Sequence, residues 1–109
     1  MSAPDAEQPW IVVDAWHVAD GDQDEFVDAL VALFSRLRQL DGFIEGEILR
    51  GVDPRRFVTY ARMRSAGERD AAFLDSEVQR TMRAIRGIAR PDPGAYKVFR
   101  TFTAEQHSA

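Results

Sequence analysis

The chain has 109 residues, of which 45% are hydrophobic and 29% are charged, and this composition predicts one globular domain with a single core. The net charge is −4 and the arginines are scattered, which excludes the basic surface of a nucleic-acid-binding protein and predicts no nucleic-acid partner. Because cysteine is absent, disulfides, thiolate metal sites, iron–sulfur clusters and cysteine nucleophiles are excluded.

Both ends of the chain are predicted to lie outside the folded domain. Residues 1–9 combine prolines and acids, so we expect a flexible arm there, a domain over residues 10–103, and a flexible polar tail over residues 104–109. No apolar stretch approaches the roughly 20 residues of a membrane span, and no secretory signal is recognisable. We therefore expect a cytoplasmic protein without a membrane partner.

The first predicted element is a central strand from Trp10 to Val18, a short segment rich in β-branched and aromatic residues. Alternation places Asp14 and Trp16 on one face and His17 on the other. An acid in the middle of an apolar strand must be hydrogen-bonded or neutral, and burial raises its pKa. Asp14 is therefore the leading candidate for a functional residue.

A long helix follows, beginning at Asp22 or Gln23 and ending before Gly42. Its apolar residues recur at spacings of four and three: Phe26, Leu30, Leu33, Leu37 and Leu40. Two strands, Phe43 to Arg50 and Phe57 to Met63, then form a predicted hairpin. Alternation in the first of them places one set of residues opposite Phe43, Glu45, Glu47 and Leu49, namely Ile44, Gly46 and Ile48.

A capping box, Ser65 with Glu68, begins the second helical region. This region is predicted to pause at Asp75 and to restart through a second box, Ser76 with Gln79. The segment from Pro91 to Gly94 is predicted to be a turn, and a last strand is predicted from Tyr96 to Phe102.

The order strand, helix, strand, strand, helix, strand predicts an α+β fold, the ferredoxin-like βαββαβ or split βαβ sandwich. We expect the first and third strands to lie side by side and parallel, so that Asp14 and Thr59 are neighbours beneath the helices. The opposite face of the sheet is predicted to be apolar: Ile11, Val13, Ile44, Ile48, Val58, Tyr60 and Val98. A bare patch of this size predicts a homodimer.

Three stretches, D-G-F-I-E-G-E-I-L-R, F-V-T-Y-A-R-M-R-S and A-A-F, resemble antibiotic biosynthesis monooxygenase domains, the dimeric α+β barrel proteins. The resemblance covers residues 10–102. Some members of that family oxidise anthrone- or quinol-type aromatics with oxygen and no cofactor, and others degrade haem. Thr59 and Met63 stand where the anthrone-oxidising members carry asparagine and tryptophan, and Arg83 matches an arginine of their second helix.

The resemblance implies a cofactor-independent monooxygenase that binds a small aromatic molecule between sheet and helices. Asp14 is the predicted base and Arg83 the predicted anion holder. The predicted substrate-binding residues are Trp16, Thr59, Met63, Phe73 and Met82. No metal site or cofactor is expected, since haem ligation would fall to His17, which is predicted to point away from the pocket.

Each of these residues also has a structural interpretation. Asp14 could pair with Arg83 or cap a backbone group, Arg83 could be solvated, and the apolar residues could belong to the core. Two other functions therefore stay open on the same fold. One is a non-catalytic ligand-binding or accessory protein, and the other is an acid–base cyclase or isomerase that uses Asp14 alone.

Overall fold

A computed structural model describes residues 9–105 as a four-stranded sheet with three helices packed on one face. The elements are β1 (Trp10–Val18), α1 (Gln23–Leu37), β2 (Phe43–Arg50), β3 (Arg56–Met63), α2 (Ala66–Leu74), α3 (Ser76–Arg86) and β4 (Ala89–Lys97). Residues 1–8 and 106–109, which hold most of the predicted arm and tail, lie outside the described residues. Between residues 9 and 105, no helix has the length and apolar character needed to cross a membrane.

The strand order β2-β3-β1-β4 confirms the predicted ferredoxin-like α+β fold. β1 and β3 are central neighbours as expected, and Asp14 lies directly opposite Thr59. The predicted parallel pairing of these strands is wrong, because every neighbouring pair in the sheet is antiparallel. The crossover through α1 returns β2 parallel to β1, and the hairpin then reverses the chain, so β3 must run against both.

A register shift between Phe43 and Glu45 moves the side chains of β2 relative to the predicted alternation. Ile48 therefore packs against the core under the helices, and its predicted place on the open face of the sheet is wrong. Glu47 occupies the open face instead, where its Oε1 accepts a hydrogen bond of 2.5 Å from the Tyr60 hydroxyl. A one-residue bulge has this effect because side chains alternate with a period of two.

The second helical region begins and pauses where the sequence predicts. Ser65 Oγ accepts a hydrogen bond of 3.2 Å from the Glu68 amide and begins α2. α3 begins at Ser76, but the predicted capping box of Ser76 with Gln79 is wrong, because Asp75 caps α3 by accepting from the Val78 amide at 3.1 Å. The Asp75 carboxylate also accepts hydrogen bonds from Nε and Nη2 of Arg36, at 3.1 and 2.8 Å, and these bonds connect α3 to α1.

The last strand differs most from its prediction. β4 spans Ala89–Lys97, so the segment from Pro91 to Gly94 is strand and not turn, and the predicted strand from Tyr96 to Phe102 is wrong beyond Lys97. β4 is an edge strand that pairs only with β1. An edge tolerates proline because the outward side of the strand has no ladder hydrogen bond to lose. Val98 therefore lies beyond the end of β4, and its predicted place on the open face of the sheet is wrong.

The core fills the layer between the helices and the covered face of the sheet. Its fully buried large side chains are Val18, Phe26, Leu30, Leu37, Met63, Val78 and Ile85. Phe26 lies between two aromatic neighbours, with ring centroids 5.4 Å from Trp16 and 5.1 Å from Phe57. The spacing of four and three predicted for α1 is therefore the core face of that helix.

Candidate active site

A cavity of about 480 Å³ opens beside Asp14, between the sheet and the second helical region. We call it the Asp14 cavity. Two residues of β1, three of α2, two of α3 and three of β4 form its wall: Val12, Asp14, Arg69, Asp70, Phe73, Met82, Arg86, Pro91, Gly94 and Ala95. This volume lies within the range of small-molecule sites.

Periodicity explains why these side chains converge. Arg69 and Phe73 are four residues apart on α2, and Met82 and Arg86 are four apart on α3, so each pair shares one helix face. On β1, Val12 and Asp14 lie on the same face because side chains alternate along a strand. The cavity wall combines apolar side chains with charged groups at a few positions.

The surroundings of the Asp14 cavity raise the pKa of Asp14. Burial raises the pKa of Asp14 to about 6, and the nearby positive charge of Arg86 opposes part of that rise. Among residues 9–105, no group donates a hydrogen bond to its carboxyl oxygens. The carboxyl group is thus available to a ligand and titrates close to neutral pH.

The two arginines of the wall differ in how they are held. The Arg69 guanidinium lies 5.0 Å from the ring centroid of Trp10 and donates to Asp70 Oδ1 at 3.1 and 2.9 Å. Arg86 makes no hydrogen bond or ion pair within the described part of the chain. Arg86 therefore keeps its donors available for an anion in the cavity.

Three of the predicted site residues, Asp14, Phe73 and Met82, lie together in the wall of this cavity. The predicted anion holder, Arg83, does not line it, which corrects the expectation that Arg83 lies beside Asp14; Arg83 and Arg86 are both exposed. Arg83 follows Met82 by one residue and is rotated about 100° away around the helix. Arg86, four residues after Met82, occupies the predicted place.

The structure places Trp16, Thr59 and Met63 in the core, which corrects the expectation that they line the pocket. Trp16 and Thr59 are each 3% exposed, and Met63 is fully buried. The indole Nε1–H of Trp16 donates a hydrogen bond of 3.0 Å to Thr59 Oγ1, so the two polar groups satisfy each other. These residues form the packed layer behind the cavity.

Arg69, Arg86 and the whole β4 side of the cavity were not predicted from the sequence. The spacing of four from Phe73 and Met82 would have identified both arginines. Pro91 and Gly94 could not be placed because their segment favours a turn locally. No cluster of three or more His, Asp or Glu side chains that could hold a metal ion occurs within residues 9–105.

No protein-family model and no curated protein sequence matches this chain. Solved structures do match it. A variant of SnoaB, a cofactor-independent oxygenase from Streptomyces nogalater, has 17% identity and a TM-score of 0.83, over 89% of this chain and 99% of that chain. A candidate antibiotic biosynthesis monooxygenase from Deinococcus radiodurans has 14% identity and a TM-score of 0.79, over 89% and 99%.

A third structure, a candidate antibiotic biosynthesis monooxygenase from Nitrosomonas europaea, has 14% identity and a TM-score of 0.78, over 85% of this chain and 92% of that chain. All three likenesses extend over nearly the whole of the compared chains. At these identities the likeness is one of fold. The resemblance seen in the sequence is thereby confirmed for the architecture: this chain has the ferredoxin-like α+β fold of antibiotic biosynthesis monooxygenase structures.

Proposed function

We propose that this protein is a cofactor-independent monooxygenase that oxidises a small aromatic molecule in the Asp14 cavity. The observation that carries the proposal is the raised pKa of Asp14 in a largely apolar cavity beside Arg86. A carboxyl group with a pKa of about 6 is half ionised at mildly acidic pH and largely ionised at neutral pH. Such a group is a stronger base than an ordinary surface aspartate.

Asp14 takes a proton from a phenol or an activated carbon of the substrate in this mechanism. Phe73 and Met82 supply apolar contacts for the aromatic rings. The positive charge of Arg86 stabilises the anion that forms, because a cation already in place beside the reacting group stabilises developing negative charge. The base and the anion holder therefore come from β1 and α3.

The oxygen chemistry balances without an external reductant. For a methylene group between two aromatic rings, removal of the proton gives a carbanion. Oxygen adds at that carbon as a hydroperoxide, and loss of water leaves a ketone. One atom of O₂ enters the product and the other leaves as water, so the substrate supplies all the electrons.

Oxygen uptake with dithranol as substrate tests the proposal. We expect uptake above the enzyme-free blank for the wild-type chain, and a loss on the order of 10²- to 10⁴-fold for Asp14→Asn, the range typical of a removed general base. Asp24→Asn is the matched control, since Asp24 is an exposed residue of α1. Wild-type uptake equal to the blank, or full activity in Asp14→Asn, would refute the proposed role.

A non-catalytic ligand-binding role is the second candidate, and the identity of residues 59 and 63 favours it. Thr59 and Met63 stand where the family resemblance expects asparagine and tryptophan, and the cavity wall contains neither residue type. Binding of 1-naphthol can be followed by fluorescence of Trp10, which lies against Arg69 of the cavity wall. Binding without any turnover would support this candidate over the oxygenase.

An acid–base cyclase or isomerase is a third candidate, because Asp14 can act as a base without oxygen. Oxygen consumption distinguishes this candidate from the oxygenase. Product formation in anaerobic buffer at the aerobic rate would support this candidate, whereas a strict requirement for O₂ would reject it.

We also propose that two copies pair through the open face of the sheet. A shallow groove of about 370 Å³ runs across that face and is lined by apolar and paired charged side chains: Ile11, Val13, Glu45, Val58, Tyr60 and Arg62. Val58 is 37% exposed and its strand neighbour Leu49 is 46% exposed, which is unfavourable unless the surface is covered.

Size-exclusion chromatography with light scattering tests this pairing. We expect a dimer for the wild-type chain and a monomer for Val58→Lys, because the substitution would bury a charge in the interface. Val31→Lys on α1 is the matched control, since Val31 is 51% exposed on a different surface. A wild-type monomer, or a Val58→Lys variant that stays dimeric, would refute the proposed interface.

A further inference from the structure

A second cavity, of about 550 Å³, lies at the end of β1, where the chain passes from α3 into β4. We call it the Arg90 cavity. Its wall differs from that of the Asp14 cavity in being rich in basic groups: Arg55, Arg86, Arg90 and His17 face one acid, Asp20. Arg86 lines both cavities, so they meet at its side chain.

The negative groups near the Arg90 cavity interact mainly with Arg55, and Asp53 also interacts electrostatically with His17. Asp53 accepts from Arg55 Nε at 3.1 Å and from Nη2 at 3.2 Å, and Asp20 also interacts electrostatically with Arg55. Arg86 and Arg90, in contrast, make no hydrogen bond or ion pair with any residue between 9 and 105. Two exposed arginines whose side chains have no hydrogen-bond or ion-pair partner between residues 9 and 105 therefore line the same concave site.

We propose that the Arg90 cavity binds a compact oxyanion, a phosphate or a carboxylate, between Arg86 and Arg90. The planar guanidinium group presents paired N–H donors that match the oxygens of such anions. His17 lies opposite Arg90 in the β1–β4 register and adds a further donor at the same end of the sheet. This site shares Arg86 with the Asp14 cavity, while Arg90 and His17 line only the Arg90 cavity.

Occupancy of this site affects Asp14 through the shared arginine. An oxyanion on Arg86 would neutralise the positive charge that now opposes the rise in the pKa of Asp14. The other charged groups in the wall of the Asp14 cavity, Arg69 and Asp70, are bonded to each other. Binding of the anion and ionisation of Asp14 should therefore oppose each other, and by linkage each weakens the other equally.

Titration of the full chain with inorganic phosphate, at ionic strength held constant with chloride, tests the site. Amide shifts in ¹H–¹⁵N spectra give the affinity. We expect saturable shifts around Arg90 in the wild-type chain and binding weakened by about tenfold or more in Arg90→Gln and in Arg86→Gln, as for a lost charge-assisted hydrogen bond. Arg83→Gln, which removes the same charge from α3 outside the cavity, should change the affinity less than about twofold.

Two results would overturn the site. One is the absence of a saturable amide shift in the wild-type chain, and the other is an equal loss of phosphate affinity in Arg83→Gln and Arg90→Gln. Saturating phosphate should also raise the pKa of Asp14, measured by ¹³C NMR of its carboxyl carbon. An unchanged pKa with phosphate bound would overturn the link through Arg86.

A comparison of 1-naphthyl phosphate with 1-naphthol distinguishes the two sources of the anion. If the substrate carries the oxyanion, naphthyl phosphate displaces inorganic phosphate and binds the wild-type chain more tightly than naphthol does. In Arg90→Gln this difference in affinity is lost. If the anion is a free ion, naphthol and inorganic phosphate bind together. A chain that binds phosphate but consumes no oxygen would refute the proposed monooxygenase function and leave this site standing.

Discussion

Trp16 and Thr59, 43 positions apart in the chain, are joined by a buried hydrogen bond of 3.0 Å from the indole Nε1–H to the threonine hydroxyl. Thr59 is also the residue directly opposite Asp14 in the β1–β3 register. The bond fixes the orientation of the large indole ring in the layer behind the cavity. A polar pair of this kind explains how a threonine is accommodated within an otherwise apolar core.

Thr59→Val should destabilise the fold, because valine has nearly the same shape but leaves the Trp16 N–H buried without an acceptor. The expected loss in the free energy of unfolding is about 1–3 kcal/mol, the typical cost of an unsatisfied buried donor. Thr59→Ser keeps the hydroxyl group and serves as the control for the hydrogen bond. Urea denaturation measures both, and equal stability of the valine variant and the wild type would show that the bond contributes little.

Asp14→Asn should stabilise the fold at neutral pH and have little effect at acidic pH. The folded pKa of about 6 lies above the ordinary value of 3.8, so the contribution of Asp14 to stability is full below about pH 3.8 and is lost as pH rises through 6. Because Asp14 is only partly buried and solvent screens its charge, the raised pKa corresponds to a cost on the order of 1–2 kcal/mol for the ionised wild type. Asparagine avoids that cost.

Urea denaturation of both chains at pH 4 and pH 7.5 measures this difference. We expect the advantage of Asp14→Asn over the wild type to grow between the two pH values. Asp24→Asn, at an exposed position of α1, should show no comparable growth. An advantage of Asp14→Asn that stays constant with pH would mean that the folded state does not raise the pKa of Asp14.

Gly46→Ala should destabilise the protein, whereas Gly67→Ala should not. A Cβ at Gly46 would lie 2.5 Å from a ring carbon of Phe34 and 2.9 Å from the backbone oxygen of Tyr60, which cannot move aside. Overpacking of this kind costs about 1–3 kcal/mol. At Gly67, within α2, a Cβ meets nothing within 4 Å, so alanine should stabilise the helix by roughly 0.5–1 kcal/mol. Thermal unfolding of the two variants tests the contrast, and a Gly46→Ala chain as stable as the wild type would contradict it.

The order of elements could be predicted from the sequence because local chemistry determines it. The box of Ser65 and Glu68 and the spacing of the α1 leucines each depend on residues within one or two turns. The strand β4 could not be predicted in this way. Its prolines favour a turn locally, and their place on an edge strand is a property of the whole sheet.

The candidate site likewise contains one residue that could be predicted from the sequence and others that could not. Asp14 could be identified because an acid within a nine-residue apolar strand is unusual in itself. The choice between Arg83 and Arg86 depends on how α3 is rotated against the sheet, and that rotation is set by the burial of Val78, Met82 and Ile85. The family resemblance matched Arg83, whereas Arg86 is the arginine of α3 that lines the cavity.

Arg86→Gln and Arg83→Gln test this assignment directly, since both remove one positive charge from α3. The charge of Arg86 lowers the pKa of Asp14, so its loss should raise that pKa above about 6. If Asp14 is the catalytic base, the acidic limb of the rate profile for oxygen uptake should move to higher pH in Arg86→Gln. Arg83 lies outside the cavity wall, and its removal should leave both quantities close to those of the wild type. Carboxyl ¹³C NMR titration gives the pKa whether or not the protein consumes oxygen, and a larger shift in Arg83→Gln than in Arg86→Gln would return the anion-holding role to Arg83.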